Sequence, residues 1–232
     1  MKNRYFSSGF LAASFIAPIV ALGVFGLISS ISLAEERSAV FAGGCFWCTE
    51  SDFEKLDGVI SATSGYIGGD LKNPTYKQVS SGGSGHTEAV EVVFDDKTIS
   101  YAELVTYFWT TIDPTDGDGQ FCDRGQQYRS EIFYRNQQQR KIAEESKRAL
   151  AASGLLKQPI VTAITAAKTF YKAEDYHQDY YLKNPLRYNY YRWGCGRDKR
   201  LADLWGGTEK IASGPSGDDV NEQQTRRRGH GE

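Results

Sequence analysis

No stretch of this 232-residue chain interleaves basic residues with aromatics, so the electrostatic footprint of a nucleic-acid binder is missing. The only dense basic run, Arg226-Arg227-Arg228, lies in a tail of Gly, Ser, Asp and Gln and reads as a solvated end. No internal repeat appears. Cysteine is scarce, with only Cys45, Cys48, Cys122 and Cys195. A zinc site wants a second close Cys or His pair, and Cys122 and Cys195 stand alone in sequence, so no metal is expected. Two structural disulfides are the default for an exported chain. A domain this large needs no such stapling, however, and Cys45 and Cys48 are spaced as a redox pair.

Charge is also absent from Tyr5 through Ala34. Lys2 and Arg4 precede that stretch, and Ser32-Leu33-Ala34 offers small residues where a signal peptidase reads, followed by Glu35-Glu36. Residues 1–34 therefore read as a secretory leader cleaved after Ala34. The uncharged stretch is long enough to span a bilayer, so an uncleaved membrane anchor is the alternative. Pro18, Ser29, Ser30 and Ser32 favour cleavage. Either way the domain faces the periplasm. Without Lys2 and Arg4, 25 basic residues face 29 acidic ones. One domain, 35–205, is followed by a polar tail, 206–232, too poor in apolar residues to order itself.

Apolar patterning predicts strands at 37–42, 59–65, 86–94, 129–134 and 160–164. Helices are predicted at 45–57, 75–80, 101–112, 136–153 and 173–182, the third capped by Ser100 with Glu103 as its capping-box partner. A Gly-rich loop, 113–127, connects two of these elements. Hairpin and crossover spacings are mixed. The expected architecture is α+β, a compact two-layer sandwich with a central mixed sheet, helices packed against it, irregular loops and the C-terminal tail.

Gly43-Gly44-Cys45-Phe46-Trp47-Cys48 is the most informative stretch. It places Cys45 on a strand-to-helix turn, where the helix's free N–H groups and dipole are expected to lower the thiol pKa. Phe46 and Trp47 supply an apolar wall, which suits a substrate with a small apolar group beside an electrophilic atom. On the strand 86–94, Glu88 shares a face with Val90, Val92 and Phe94. A carboxyl on an apolar face has its pKa raised and becomes a general acid near neutrality; at a frayed strand end it would simply reach water. Among 14 tyrosines each is more often core or rim than catalytic. His86 and His177 lie in no hydrolase signature.

Six motifs occur in order: Gly44-Cys45-Phe46-Trp47, Gly65-Tyr66-x-Gly68-Gly69, Asn73-Pro74-Thr75-Tyr76, Gly85-His86-Thr87-Glu88-Ala89-Val90, Gln127-Tyr128-Arg129-Ser130 and Ala173-Glu174-Asp175-Tyr176-His177-Gln178. Together they resemble the A-type peptide methionine sulfoxide reductases from about Ser38 to Trp205. The resemblance implies that Cys45 attacks the sulfoxide sulfur and that Glu88 protonates its oxygen. It also implies that Tyr76 and Tyr128 hold that oxygen, that Asp123 assists through water, and that Phe46 and Trp47 receive the methyl group. The substrate is then the S epimer of methionine sulfoxide, free or in oxidised proteins. Cys45 becomes a sulfenic acid, which a second thiol condenses to a disulfide, and an external thioredoxin-like dithiol reduces it.

No bound cofactor or metal is implied, and a monomer is expected. Cys195, between Gly194 and Gly196, is the favoured resolving cysteine because its segment can swing toward the site; Cys48 is the alternative, and Cys122 comes third. A thioredoxin-like disulfide oxidoreductase also uses Cys-x-x-Cys at a strand-to-helix turn, but it needs neither Glu88 nor the tyrosine loops. A secreted binding domain held by two disulfides would protect all four cysteines. Of the leader, N-terminal sequencing of the fractionated protein is expected to read Glu35 as the first residue; Met1 in the membrane fraction would mark the anchor, and Met1 in soluble cytoplasm would defeat both.

Overall fold

The computed structural model describes residues 37–206; the expected leader at 1–34 and the expected polar tail beyond Gly206 lie outside the described residues. The strands are β1 (Arg37–Gly43), β2 (Val59–Ile67), β3 (Thr87–Phe94), β4 (Gly119–Gln120), β5 (Asp123–Arg124), β6 (Ser130–Tyr134), β7 (Ala163–Ala166) and β8 (Tyr171–Lys172). The helices are α1 (Phe46–Phe53), α2 (Tyr76–Ser80), α3 (Tyr101–Thr110), α4 (Gln137–Ala152), α5 (Tyr180–Lys183), α6 (Pro185–Gly194) and α7 (Arg197–Trp205). Six strands form one sheet in the order β7-β6-β1-β3-β2-β8, while β4 and β5 form a separate hairpin. Only β6 and β7 run parallel, so the main sheet is mixed, as expected.

Burial explains the layering. Along β3 the face carrying Val90, Val92 and Phe94 enters the main core with Phe41, Phe53, Leu104 and Phe108, which come from β1, α1 and α3. Ala89 on the opposite face joins Val40, Ala42, Ile67 and Phe133 under the segment that holds Ala167 and Phe170. Glu88 therefore does point to the helix side, and its cross-strand partner on β2 is Tyr66. The box at α3 forms as predicted: the Glu103 N–H donates to Ser100 Oγ at 3.2 Å and the Ser100 N–H to Glu103 Oε2 at 2.8 Å. A second box, Thr75 with Gln78, starts α2.

Three expectations change. The helix after Cys45 stops at Phe53 rather than Asp57. The strand predicted at 160–164 begins later, because the Val161 and Thr162 N–H groups both donate to the Pro114 carbonyl before pairing with β6 starts at Ala163. The region 173–182 is mostly not helical. There the Gln178 side chain takes a strand's place, accepting from the Ser64 N–H and donating to the Ser64 and Ala173 carbonyls, each at 2.9 Å. Helix α5 starts only after Asp179, whose φ is +52°. Removing the α3 cap tests the local account: Ser100→Ala is expected to lower unfolding free energy by about 1 kcal/mol in urea titration, with m unchanged.

Candidate active site

The turn from β1 into α1 admits only glycine at Gly44. Its φ is +85°, and a Cβ there would stand 2.6 Å from that of Gln120. Cys45 follows at the N-cap of α1 with φ −54° and ψ 120°, and its side chain makes no capping bond. The first helical N–H, that of Phe46, donates instead to Glu88 Oε2 at 3.0 Å. Glu88 is only 2% exposed. Burial pushes its pKa up to about 8, with the Phe46 N–H opposing the rise and the charge of Asp123 adding to it. One carboxyl oxygen is thus fixed by the backbone, and near neutrality the group carries a proton.

Cys45 is 6% exposed. Its thiol is raised well above the ordinary value by burial, by a hydrogen bond with Cys48 and by the negative charges of Cys48, Glu88 and Asp123. Cys48 moves the other way. Its hydrogen bond with Cys45 lowers it against burial, helped by Arg197 and Arg192. This corrects the expectation that the helix N-terminus lowers Cys45. The helix has only eight residues, Glu88 occupies its first N–H, and the nearest charges are acidic. The nucleophile rests as a thiol, and protonation of Glu88 removes one obstacle to its ionisation.

A cavity of about 70 Å³ is lined by Cys45, Phe46, Trp47, Tyr76, Glu88, Asp123, Tyr128 and Tyr191. One water needs about 10–15 Å³, so a group of a few heavy atoms fits. All the residues expected from the sequence except the resolving cysteine therefore meet in one place. Tyr76 opens α2, and Tyr128 ends a 3₁₀ turn, Gln126–Tyr128, ahead of β6. Their hydroxyls hydrogen-bond each other, and burial beside Glu88 raises both pKa values, that of Tyr76 to about 12, so both stay protonated donors. A larger cleft of about 490 Å³, lined by Arg37, Tyr101, Asn136 and Gln139 among others, lies at the other end of β1, and none of its lining residues is a cysteine.

The aromatic wall is braced from behind. Trp47 stacks on Tyr180 at 3.8 Å and 7°, and its Nε1–H donates to His177 Nδ1 at 3.1 Å. Burial lowers the His177 pKa, which keeps that acceptor neutral. Glu174 accepts from the Tyr66 hydroxyl at 2.8 Å and the Tyr76 N–H at 2.9 Å, fixing where α2 begins. The motif 173–178 thus acts by positioning. Sequence reasoning gave its residues no roles, and among so many tyrosines nothing singled out Tyr180 or Tyr191.

The cysteine expectations change most. Cys195 and Cys122 do not stand alone: they form a disulfide with Cα atoms 4.9 Å apart, while Cys45 and Cys48 are free. A domain held by two disulfides is thereby disfavoured. The Cys195 segment is no swinging tail either. It is the junction of α6 and α7, and its backbone N–H closes α6 on the Tyr191 carbonyl at 2.8 Å. Arg197, buried just beyond it, donates to the carbonyls of Gly43 at 3.1 Å and Thr111 at 2.7 Å and lies 4.6 Å over the Phe121 ring. Asp123 joins this region to the pocket. Its Oδ2 accepts from the Tyr191 hydroxyl and lies 3.9 Å from Cys195 Sγ. Burial raises the Asp123 pKa, against the Tyr191 bond and the charges of Arg197 and Arg124.

A buried thiol, an acid able to give a proton and an apolar wall define a thiol-dependent oxidoreductase. Residues 37–209 match the family model described as peptide methionine sulfoxide reductase. The chain is 57% identical over 168 residues to the peptide methionine sulfoxide reductase MsrA of Ligilactobacillus salivarius, covering 72% of this chain and 97% of that one. A Vibrio cholerae protein named MsrA/MsrB is 52% identical over 173 residues, which are 75% of this chain and 46% of its own length. Among solved structures, methionine sulfoxide reductase A of Corynebacterium diphtheriae aligns with a TM-score of 0.59 at 37% identity, covering 67% of this chain and 78% of that one. Reduced Mxr1 of Saccharomyces cerevisiae aligns with a TM-score of 0.58 at 33% identity, covering 66% and 87%. The chain belongs to the A-type peptide methionine sulfoxide reductases, oxidoreductases that return methionine sulfoxide to methionine.

The burial of Glu88 has a cost that depends on pH. A carboxyl whose folded pKa exceeds its unfolded one stabilises the fold fully below the unfolded value, and that contribution is lost as pH rises through the folded value. The window here runs from about 4.5 to about 8. Glu88→Gln keeps an oxygen for the Phe46 N–H without the charge. Its melting temperature is expected to overtake that of the wild type as pH rises from 5 to 8.5, measured by calorimetry; a constant difference would contradict the raised pKa.

Proposed function

We propose that Cys45 reduces the S epimer of methionine sulfoxide, in proteins and as the free amino acid, with Glu88 as proton donor. The observation that supports this most is the Phe46 N–H to Glu88 bond, which holds a protonated carboxyl in the same small cavity as the Cys45 thiol. The substrate methyl group lies against Phe46 and Trp47, and the sulfoxide oxygen meets Glu88, Tyr76 and Tyr128. Cys45 sulfur attacks the substrate sulfur as Glu88 protonates the oxygen. The oxygen then passes to Cys45 as a sulfenic acid, methionine leaves, and the proton lost by the Cys45 thiol restores Glu88. Asp123, held by Tyr191, orders water beside the oxygen.

Cys195, once released from Cys122, condenses with the sulfenic acid to give a disulfide and water. A thioredoxin-like dithiol protein then reduces the enzyme. This happens in the periplasm, with residues 1–34 as the exporting leader and the catalytic domain working as a monomer.

Single-turnover assays on the reduced protein test the reading. Cys45→Ser is expected to release no methionine while keeping the wild-type circular dichroism spectrum. Glu88→Gln is expected to slow release by about 10²–10⁴-fold. The wild-type rate falls above about pH 8, where Glu88 loses its proton, and this limb is absent from the variant. Cys195→Ser is expected to release one methionine per enzyme and then stop when a dithiol protein is the reductant. Full cycling by Cys195→Ser together with arrest of Cys48→Ser would transfer the resolving role to Cys48.

A further inference from the structure

We propose that Glu50, a residue outside the reacting pocket, positions the aromatic wall and so sets how strictly the enzyme selects a methyl group on the sulfoxide sulfur. The proposal rests on the sulfoxide reductase reading above and deepens it, since it names what shapes the subsite for that methyl. Glu50 is 1% exposed and lies on α1 three residues after Trp47. It does not line the cavity, and the reaction makes no use of its carboxyl. Both of its oxygens are nevertheless committed. Oε2 bonds to the Ser64 hydroxyl on β2, and Oε1 accepts from the Asp179 N–H at 2.6 Å.

Those two bonds complete a clasp on the segment between His177 and Tyr180. The Gln178 side chain already pairs with the backbone of Ser64. Glu50 joins the Ser64 side chain to the next residue of that segment, so Gln178 and Asp179 are both tied to one residue of β2. Asp179 has φ +52°, a conformation that a non-glycine residue keeps only where its surroundings hold it. Its own carboxylate pairs with Lys183 at 3.4 Å and makes no capping bond to α5. The turn is therefore held through its backbone.

This turn decides where the next ring goes. Tyr180 lies flat on Trp47, 3.8 Å away at 7°, and His177, before the turn, accepts from the Trp47 Nε1–H. Trp47 is thus gripped by the two residues that flank the clasp, and it is itself part of the cavity wall. The cavity holds only about 70 Å³, so a small retreat of that ring decides whether an added methylene fits. An apolar pocket discriminates by about 10–200-fold for one methylene. Burial pushes the Glu50 pKa up to about 7 against its two bonds, with the charges of Glu54 and Asp179 adding to the rise. A neutral amide is a fair substitute there, because Gln can accept from the Asp179 N–H and donate to Ser64 Oγ.

The test compares the S epimers of methionine sulfoxide and ethionine sulfoxide as substrates of the full chain, with dithiothreitol as reductant. The ratio of their kcat/KM values is read, because partial unfolding lowers both equally and leaves the ratio unchanged. Wild type is expected to favour the methyl substrate by at least about tenfold. Glu50→Ala is expected to lower that ratio about tenfold, with a higher KM for methionine sulfoxide and kcat little changed. Glu50→Gln is expected to keep the wild-type ratio. Tyr180→Leu removes only the ring that Asp179 aims; it is expected to lower the ratio as far as Glu50→Ala does, and the double variant no further. A wild-type ratio in Tyr180→Leu or in folded Glu50→Ala, or a lowered one in Glu50→Gln, would overturn the proposal. Equal handling of the two sulfoxides by the wild type would overturn it too. Wild type that reduces neither sulfoxide would overturn the sulfoxide reductase reading itself.

Discussion

Burial of the Glu88 carboxyl beneath the first turn of α1 is the constraint on which the site depends. A carboxylate there would be expensive, so the group keeps its proton, and the Phe46 N–H fixes its orientation. The same bond satisfies a helix N–H that would otherwise be orphaned, so the acid serves as the cap that Cys45 does not provide. Fold and chemistry are joined at that atom. A charge-free substitute that keeps the cap is expected to make the protein more stable near neutrality and less active. Stability is given up to hold a proton where the reaction needs it.

A second linkage runs through Arg197. Its guanidinium reaches the carbonyl that ends β1, the carbonyl of Thr111 after α3 and the ring beside Cys122, and its own backbone follows Cys195 by two residues. One buried cation therefore ties the turn bearing the nucleophile to both cysteines of the disulfide. It also favours the thiolate of Cys48, which explains why the two thiols of the Cys-x-x-Cys stretch diverge. Cys48 receives the cationic side of the site and Cys45 the acidic side.

Period-two and period-3.6 patterning made most of the sheet and helices α3 and α4 legible, and the capping pair Ser100 and Glu103 located the first residue of α3, while α6 and α7 were not predicted. Glu88 could be read as a core-facing acid because strand alternation fixes the direction of a side chain before any tertiary contact is known. What failed was decided by contacts distant in sequence. Gln178 pairs with Ser64 across the fold and prevents a helix that local composition favoured. Cys122 and Cys195 meet only because α6 and the β4–β5 hairpin converge, 73 residues apart in sequence. The thiol pKa of Cys45 was misread for the same reason, since helix position is a local property and the two acids near it come from elsewhere.

The composition of the core agrees with the chemistry from another side. The chain's single methionine is Met1, against 12 phenylalanines and 14 tyrosines. Methionine is the adaptable filler of irregular cores, and its oxidation replaces an apolar thioether by a polar sulfoxide that disrupts packing. Here rigid rings fill those gaps: Phe41 stacks on Phe53 at 4.8 Å and on Phe108 at 5.0 Å, and Trp47 on Tyr180 at 3.8 Å. No residue between 37 and 206 can suffer the lesion that the enzyme reverses. A domain built this way keeps its packing in the same oxidising surroundings that generate its substrate.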